Sequence, residues 1–280
     1  MVFPSPCHLY PYGWPVTAGY HPYRFSPPPA ALLVRPDQWK YLSRQVAPFQ
    51  HGPERMAERH PHVRHVDWAS RFPNDVILHG PRRNEIALTF DDGPDDVWTP
   101  RVLSVLAHYD VKATFMCVGR RIADHPQVLR RIYREGHVVG NHSWNHPNLT
   151  KIPISQVGEQ VERTANEIHR LVGVRPHLFR PPYGALNEPV IREIIALGNK
   201  IILWNVDSLD WARLTAAQVT ANILAHAGPG SIVLEHSAGG RGESLEDTVR
   251  ALPRVIETLR EEGYRFVTVP ELLGIPAYRS

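Results

Sequence analysis

Two adjacent carboxylates and a pair of histidines are the side chains in this sequence whose types and spacing suit metal chemistry. Asp91 and Asp92 follow the apolar run Ile86–Phe90 and precede Gly-Pro. Their like charges repel, so the pair is costly unless a cation lies beside it. His142 and His146 have the i, i+4 spacing that places two imidazoles on one face of a helical turn, where both can bind one ion. Two histidines and one carboxylate leave coordination positions open for water and substrate, as a catalytic metal site requires.

Further along the chain, three more apolar runs end in polar residues that a core strand does not need. Arg180 precedes Pro-Pro-Tyr183-Gly, where the prolines stiffen the loop and can hold a backbone N–H in a fixed orientation. Asp207 and Asp210 follow the next run, and His236 ends the one after that. Each residue alone has a structural explanation: a surface ion pair, a helix N-cap or a satisfied core histidine. Their occurrence in order, each at the end of an apolar run, favours a shared site.

The elements that must position these residues are short apolar runs that alternate with helical patterns from about residue 76 onward. Seven strand signals alternating with helices predict an α/β fold with a parallel sheet closed, or nearly closed, into a barrel. In such barrels the chemistry collects at the carboxyl ends of the strands. The seven runs are Ile86–Phe90, Lys112–Val118, His137–Gly140, Pro176–Phe179, Lys200–Val206, Ser231–Glu235 and Arg265–Val269.

The helices are predicted from apolar spacing and from their end signals. After Ser155, apolar side chains recur at steps of three and four until Gly173, a predicted C-cap. Thr99 is a predicted N-cap with Pro100 at the first helical position. Pro253 interrupts a later pattern over 248–259, which predicts that this helix is kinked or begins later.

The composition of the first 75 residues differs from that of the rest. Of the 27 prolines, 13 lie before residue 81, and the whole formal net charge of +3 comes from the same stretch. Proline disfavours helix and central strand, so extended structure is expected, with a short amphipathic helix over Pro36–Val46. We predict a Pro/Tyr/His-rich extension, 1–75, and a catalytic domain, 76–280. The extension is either a poorly ordered tail or a strap on the domain, or it is an arm that binds carbohydrate, cell wall or a partner through Tyr12, Trp14 and Tyr23.

Composition also excludes several classes of protein. With 42% apolar and 21% charged residues the chain is not disordered as a whole. Its neutral, mixed-charge body has no basic footprint for nucleic acid, and no apolar stretch approaches the roughly 18 residues of a transmembrane segment. Two cysteines, Cys7 and Cys117, cannot build a disulfide framework, and Cys117 is expected to be a buried thiol. No secretory signal peptide is visible at the N-terminus.

Taken together, the motifs resemble those of polysaccharide deacetylases with a NodB homology domain, carbohydrate esterase family 4. They read Thr-Phe-Asp-Asp-Gly-Pro at 89–94, His-Ser-x-x-His at 142–146 and Arg-Pro-Pro-Tyr at 180–183. The resemblance runs from about Ile86 to Leu273 and includes five ordered motifs. It implies a distorted (β/α)7 barrel of the TIM-barrel type, in agreement with the independent count of seven strands.

For the metal and the base, the resemblance implies specific roles. Asp92, His142 and His146 would hold a divalent metal, usually Zn²⁺ in this family, with Co²⁺ or Ni²⁺ also able to serve. Asp91 would be the general base that takes a proton from the attacking water. Arg180 would pair with Asp91 and keep it ionised and aimed.

For the oxyanion, the acid and the substrate pocket, the resemblance implies a second set of roles. The backbone N–H of Tyr183 would hold the oxyanion together with the metal. His236 would be the general acid that protonates the leaving amine, and Asp210 would hydrogen-bond its other ring nitrogen and raise its pKa. The remaining positions form or support the acetyl pocket: Trp211 and Leu234 as its apolar walls, and Asp207 as support.

Two neighbours of the proposed acid are left outside the mechanism. Glu235 alternates away from Leu234 and His236 if the strand is regular. Ser237 stands where family members often have Asp, a departure that affects the fine geometry of the site more than its activity.

The resemblance implies metal-dependent hydrolysis of N-acetyl groups of a GlcNAc-containing glycan, with peptidoglycan favoured over chitin-like oligosaccharide. One alternative is an O-acetyl xylan esterase with the same site. Another is a non-catalytic glycan-binding or coat protein, whose usual marker, loss of a metal ligand or of the base, is not found here. The substrate class favours an extracellular, cell-wall or spore-associated location.

Overall fold

The computed structural model describes residues 66–240 and 242–279. The predicted helix over Pro36–Val46 and the predicted aromatic arm lie outside the described residues. Within the part that is described, no helix is long and apolar enough to cross a membrane.

Eight parallel strands form the central sheet, which curls into a half-barrel in the order β1-β7-β6-β4-β3-β2-β9-β8. β10 pairs with β2 beside this path, and β11 pairs with β5 in an antiparallel two-stranded sheet. The predicted α/β class is confirmed. The strands are β1 (Val76–Ile77), β2 (Glu85–Asp91), β3 (Thr114–Cys117), β4 (Val138–Asn141), β5 (Arg175–Pro176), β6 (Leu178–Phe179), β7 (Lys200–Ile202), β8 (Val206–Asp207), β9 (Ile232–His236), β10 (Arg265–Phe266) and β11 (Tyr278–Arg279).

Helices follow most of the strands and pack mainly on the outer face of the sheet, whereas the last of them packs against the inner cluster. They are α1 (Trp68–Arg71), α2 (Trp98–His108), α3 (Gly119–Asp124), α4 (Pro126–Arg134), α5 (Ile154–Val172), α6 (Glu188–Ala196), α7 (Ala216–His226), α8 (Glu246–Glu261) and α9 (Val269–Leu273).

The two faces of the sheet bury different clusters of side chains. Leu88 and Phe90 of β2 pack outward with helix residues such as Leu103 and Leu252. Ala87, on the opposite face, belongs to an inner cluster that residues of α9 complete. Because side chains alternate along a strand, Thr89 and Asp91 share the inner face with Ala87. The prediction of a buried thiol is also confirmed, since Cys117 is free and packs in the outer cluster.

The predicted strand over Lys200–Val206 is two strands, because the chain changes pairing partners within it. β7 pairs with β6 and β1, whereas β8 pairs with β9. Asn205, between them, accepts the backbone N–H of Ile232 at 2.8 Å and donates to Ser231 Oγ at 3.2 Å. The side chain of Asn205 therefore replaces a ladder contact where the backbone turns from one partner to the next.

The predicted N-cap at Thr99 was wrong, because α2 begins one residue earlier, at Trp98. Asp95 Oδ1 accepts the backbone N–H groups of Trp98 and Thr99 at 2.6 and 2.9 Å. The hydroxyl of Thr99 instead donates to the carbonyl of Ser237 at 2.8 Å. Asp95 thus supplies the capping oxygen, and Thr99 ties the start of the helix to the chain after β9.

Two further helix predictions have opposite outcomes. α5 ends before Gly173, whose φ of 78° confirms the predicted left-handed C-cap. The predicted later start of the helix that contains Pro253 was wrong, since α8 begins at Glu246 and continues through the proline. A proline costs a helix interior about 3 kcal/mol, and the buried face of α8 offsets that cost through Leu252, Val255, Ile256 and Leu259.

Glu235 is a fully buried carboxyl on the outer face of β9. It lies in register with Phe90, which faces the helices, so it points away from Leu234 and His236 as predicted. Neither of its carboxylate oxygens has a hydrogen-bond partner. Burial, followed by repulsion from Asp210, raises the pKa of Glu235 well above its ordinary value, although the charge of His236 opposes the shift. The fold therefore favours the neutral carboxylic acid at this position.

Glu235→Gln keeps the shape of this side chain and removes its titration. In the wild type the unfolded chain loses the Glu235 proton first as the pH rises, so stability falls by up to about 1.4 kcal/mol per pH unit. We expect the free energy of unfolding of the variant, relative to wild type, to increase from about pH 5 to about pH 7 in urea denaturation. Glu261→Gln, at an exposed position of α8, is the control and should show no such trend. A difference that does not vary with pH would contradict a raised pKa.

Candidate active site

The carboxyl ends of the strands carry a group of residues in unusual backbone conformations. Asp92, Ser143, His146 and Tyr183 have φ values of 70°, 67°, 59° and 62°. Left-handed conformations cost non-glycine residues of the order of 1–3 kcal/mol and cluster at functional sites. Four such residues in three loops therefore mark this edge of the sheet as the candidate site.

Asp92, His142 and His146 offer one ligand atom each, and the three atoms lie within 4.8 Å of one another in buried surroundings. The Nε2 atoms of the two histidines are 3.2 Å apart. Asp92 Oδ1 is 3.2 Å from His146 Nε2 and 3.6 Å from His142 Nε2. We call these three residues the triad.

The expectation that the two histidines lie on a helical turn was wrong, because the chain from 142 to 146 forms a loop. Asn141 Oδ1 accepts the backbone N–H of Ser143 at 3.0 Å, and Ser143 Oγ accepts that of His146 at 3.1 Å. These side-chain bonds hold the loop closed, so the two imidazoles meet without helical geometry.

The donor set of the triad fits a divalent cation. His142 Nδ1 lies 2.7 Å from the carbonyl oxygen of Arg180, which can only accept, so Nδ1 carries the proton and Nε2 presents its lone pair. Asp92 Oδ1 is buried and accepts no hydrogen bond. A buried carboxylate oxygen facing imidazole nitrogens is unfavourable unless a cation offsets it. Two nitrogens and one oxygen are ligands that suit zinc and neighbouring transition metals.

Asp91 lies beside the triad and is held by a buried arginine. Its Oδ1 accepts a hydrogen bond from Arg180 Nη1 at 2.7 Å, and its Oδ2 is 3.6 Å from His142 Nε2. Burial raises the pKa of Asp91 to about 7, against the lowering effect of the Arg180 and His236 charges. A carboxyl with a pKa near neutrality is matched to general-base work at physiological pH.

Asp210 and His236 form a buried pair, with His236 at the end of β9 and Asp210 in the short 3-10 helix Asp210–Ala212 that follows β8. Asp210 Oδ1 is 2.7 Å from His236 Nδ1, and Oδ2 accepts the backbone N–H of His236 at 2.8 Å. Thr248 of α8 donates its hydroxyl to the same Oδ2 at 3.1 Å. His236 is in register with Asp91, so the proposed acid and the proposed base lie on adjacent strands. Thr248 was not found from the sequence, since it stands within a helix pattern.

The expected pocket residues lie around this pair. Leu234, two residues before His236, shares its face of β9 and is 1% exposed. Trp211 is half-buried, and its Nε1 donates to Asp207 Oδ1 at 3.3 Å. Asp207 Oδ1 also accepts the backbone N–H of Leu209 at 3.0 Å, so Asp207 orients both the indole and its loop.

Tyr183 connects the arginine loop to the triad. Its ring centre lies 4.7 Å from that of His146, in an edge-to-face arrangement, and its hydroxyl donates to the His146 carbonyl at 3.4 Å. The left-handed φ of Tyr183 sets the direction of its backbone N–H. Next to it, a Cβ at Gly184 would lie 3.0 Å from the Trp204 ring, so the loop approaches that ring closely.

Comparison with known proteins gives consistent matches. The family model described as polysaccharide deacetylase matches residues 79–202. A peptidoglycan-N-acetylglucosamine deacetylase of Bacillus cereus is 38% identical over 206 residues, which are 73% of this chain and 74% of that protein. Peptidoglycan-N-acetylglucosamine deacetylase PgdA of Listeria monocytogenes is 42% identical over 189 residues, 68% of this chain but only 39% of its own length.

Solved structures agree with the sequence matches. The crystal structure of the Bc1960 peptidoglycan N-acetylglucosamine deacetylase superimposes with a TM-score of 0.72 at 37% identity, over 76% of this chain and 99% of that one. BA3943 of Bacillus anthracis, described as a CE4 family pseudoenzyme, superimposes with a TM-score of 0.65 at 28% identity, over 70% of this chain and 68% of the other. Fold and identity together establish the family, and this chain belongs to the polysaccharide deacetylases with a NodB homology domain, carbohydrate esterase family 4.

Proposed function

We propose that this chain hydrolyses N-acetyl groups of N-acetylglucosamine residues in peptidoglycan, with a divalent cation held by the triad. The observation that carries the proposal is the position of an arginine-bound carboxylate, Asp91, between the triad and the Asp210–His236 pair. The base ends β2 and the acid ends the adjacent β9, while the cation site lies in the loops after β2 and β4. Metal-assisted hydrolysis of an amide uses these three groups. Relatives named for peptidoglycan deacetylation support the choice of glycan.

In this proposal Asp91 removes the proton of the attacking water. A divalent cation at the triad, when bound, lowers the pKa of a coordinated water and polarises the acetyl carbonyl. Arg180 occupies Oδ1 of Asp91, which leaves Oδ2, the oxygen nearer His142, to accept the proton. Burial raises the pKa of Asp91 and so favours uptake of the proton, whereas a cation at the triad would act in the opposite direction.

His236 then protonates the departing amine. An amine leaves poorly without a proton, so the amide substrate needs an acid on the side of the leaving group. Asp210 holds Nδ1 of His236 and stabilises its imidazolium form. The backbone N–H of Tyr183 stabilises the oxyanion, and Leu234 and Trp211 enclose the acetyl methyl.

The two alternative functions share parts of this site. An O-acetyl esterase would use the same base and cation but depend less on His236, because an alkoxide leaves more easily than an amine. A non-catalytic glycan-binding protein would keep the fold and dispense with the site. The latter is disfavoured because the base, the acid and all three members of the triad are present. With peptidoglycan as substrate, we propose that the protein acts at the cell wall or the spore.

Acetate release from peptidoglycan, chitin oligosaccharides and acetylated xylan tests the function directly. We expect acetate from peptidoglycan, its loss after chelation, and its recovery on adding Zn²⁺ or Co²⁺. Release from xylan alone would favour the esterase. If purified protein binds no divalent metal and releases no acetate from any of the three, the enzyme proposal fails.

Asp91→Asn and Asp92→Asn separate the two carboxylates by role. Asp91→Asn should retain bound metal and lower kcat by at least about 100-fold, since the amide cannot take a proton. Asp92→Asn should weaken metal affinity by at least about 10-fold, since a charged ligand is lost. Metal content is read by elemental analysis and turnover by acetate release. Asp96→Asn, at an exposed position of the same loop, is the control that should change neither. Equal loss of metal in both site variants would contradict the assignment.

His236→Ala tests the acid by varying the leaving group. We expect kcat for N-acetyl substrates to fall by about 100-fold or more, while an aryl acetate ester, whose phenolate leaves unprotonated, loses less than about 10-fold. His108→Ala, an exposed histidine of α2, is the control. Equal losses on amide and ester would show that His236 is not the proton donor to the leaving group.

A further inference from the structure

Thr89 is a buried threonine two residues before the proposed base. It lies on the same inner face of β2 as Asp91 and is 0% exposed. Its Oγ1 donates to the carbonyl of Val233 at 2.6 Å and accepts from Arg180 Nη1 at 2.8 Å. The carbonyl can only accept and the guanidinium can only donate, so the donor and the acceptor in each of the two hydrogen bonds of the hydroxyl are fixed.

The Nη1 group of Arg180 is shared between Thr89 and Asp91. One bond goes to Thr89 Oγ1, and another goes to Asp91 Oδ1 at 2.7 Å. Nε and Nη2 are bound to the carbonyls of Ile202 and Leu203 at 3.0 and 3.1 Å. The guanidinium is planar and rigid, and the two carbonyls hold it at Nε and Nη2. The motion that remains is a rotation that displaces Nη1, and the two acceptors of Nη1 limit that rotation. Thr89 is the neutral acceptor there.

The second bond of Thr89 reaches the strand that carries the acid. Val233 precedes Leu234 on β9, and Thr89 is itself in register with Leu234, as Asp91 is with His236. One hydroxyl thus joins the arginine that holds the base to the strand that ends in the acid. Loss of the hydroxyl would leave a buried guanidinium hydrogen without this acceptor.

We propose that Thr89 is a positioning residue for the deacetylation, whose hydroxyl fixes the Arg180 guanidinium so that Nη1 aims Asp91 at the triad. The inference rests on the proposed function, and Thr89 acts through Arg180 without touching substrate. Misplacement of a reacting group by about 1 Å can cost about 100-fold in rate.

Thr89→Val replaces the hydroxyl by a methyl of similar size and is the main test. We expect kcat for N-acetyl substrate to fall about 10- to 100-fold with KM changed less than about 3-fold, and bound metal to stay at the wild-type level. Thr89→Ser restores the hydroxyl and should recover kcat to within about 3-fold of wild type.

Thr114→Val is the matched control. Thr114 is in register with Thr89 on the next strand, is equally buried, and its hydroxyl accepts the backbone N–H of Val269 at 3.0 Å instead of contacting Arg180. It measures what the loss of a buried threonine hydroxyl does to the half-barrel in general. Thermal unfolding of each variant checks that the folds are comparable.

A second measurement does not depend on activity. Nitrogen-15 NMR of arginine side chains reports rotation of the guanidinium, which should be slow for Arg180 in wild type, Thr89→Ser and Thr114→Val, and faster in Thr89→Val.

The inference is overturned if Thr89→Val keeps wild-type kcat and wild-type guanidinium rotation, or if Thr114→Val lowers kcat as much as Thr89→Val does. The inference is also overturned if the Thr89→Ser variant folds but its kcat stays as low as that of Thr89→Val. If wild type releases no acetate, the proposed function fails, and the NMR comparison still decides whether Thr89 fixes Arg180. Should Thr89→Val not fold, the same comparison between wild type and Thr89→Ala decides it.

Discussion

The buried ion pair between Arg180 and Asp91 is the interaction on which the rest of the site depends. Burying a charged pair is costly, and it is stable only when the remaining donors and acceptors are also satisfied. The carbonyls of Ile202 and Leu203 meet this need at the end of β7, and the hydroxyl of Thr89 meets it from β2. This requirement gives a physical reason why strand pairing stops after β7. The carbonyls at the end of this strand bind the guanidinium, and the next strand, β8, pairs at the other edge of the sheet.

The same pair organises the cation site through backbone groups. The carbonyl of Arg180 accepts from His142 Nδ1, so the arginine that holds the base by its side chain also sets the tautomer of a proposed ligand by its main chain. The strained conformations of Asp92, His146 and Tyr183 lie in the three loops that meet here. The two packed faces of the half-barrel supply the stability that tolerates this strain.

Sequence reasoning found the chemistry of the site better than its local geometry. Polar residues at the ends of apolar runs predicted which side chains the fold brings together, because apolar runs identify strands. The roles of those side chains as ligands, base and acid came from the resemblance to the family and stay predictions. The conformation of the loop from His142 to His146 was mispredicted, since the side chains of Asn141 and Ser143 compete with helical hydrogen bonding there. The predicted cap at Thr99 was wrong because another side chain, Asp95, accepts the backbone N–H groups at the start of α2. The motif at 89–94 includes Thr89 but gave it no role, because a threonine within a strand pattern is ordinary. Its role depends on its partners, Val233 on β9 and Arg180 after β6.

Membership of this family does not by itself imply activity, since a protein can have the fold without the catalytic residues. Buried polar groups that destabilise the fold unless a ligand offsets them favour an active enzyme. A buried Asp92 oxygen with no hydrogen bond and a carboxyl at Asp91 with a pKa raised to about 7 both destabilise the protein when no cation is bound. A protein that only bound glycan could replace either side chain by a neutral one and gain stability. A cation held by the triad beside Asp91 would offset both costs, which is the arrangement that the proposed function requires.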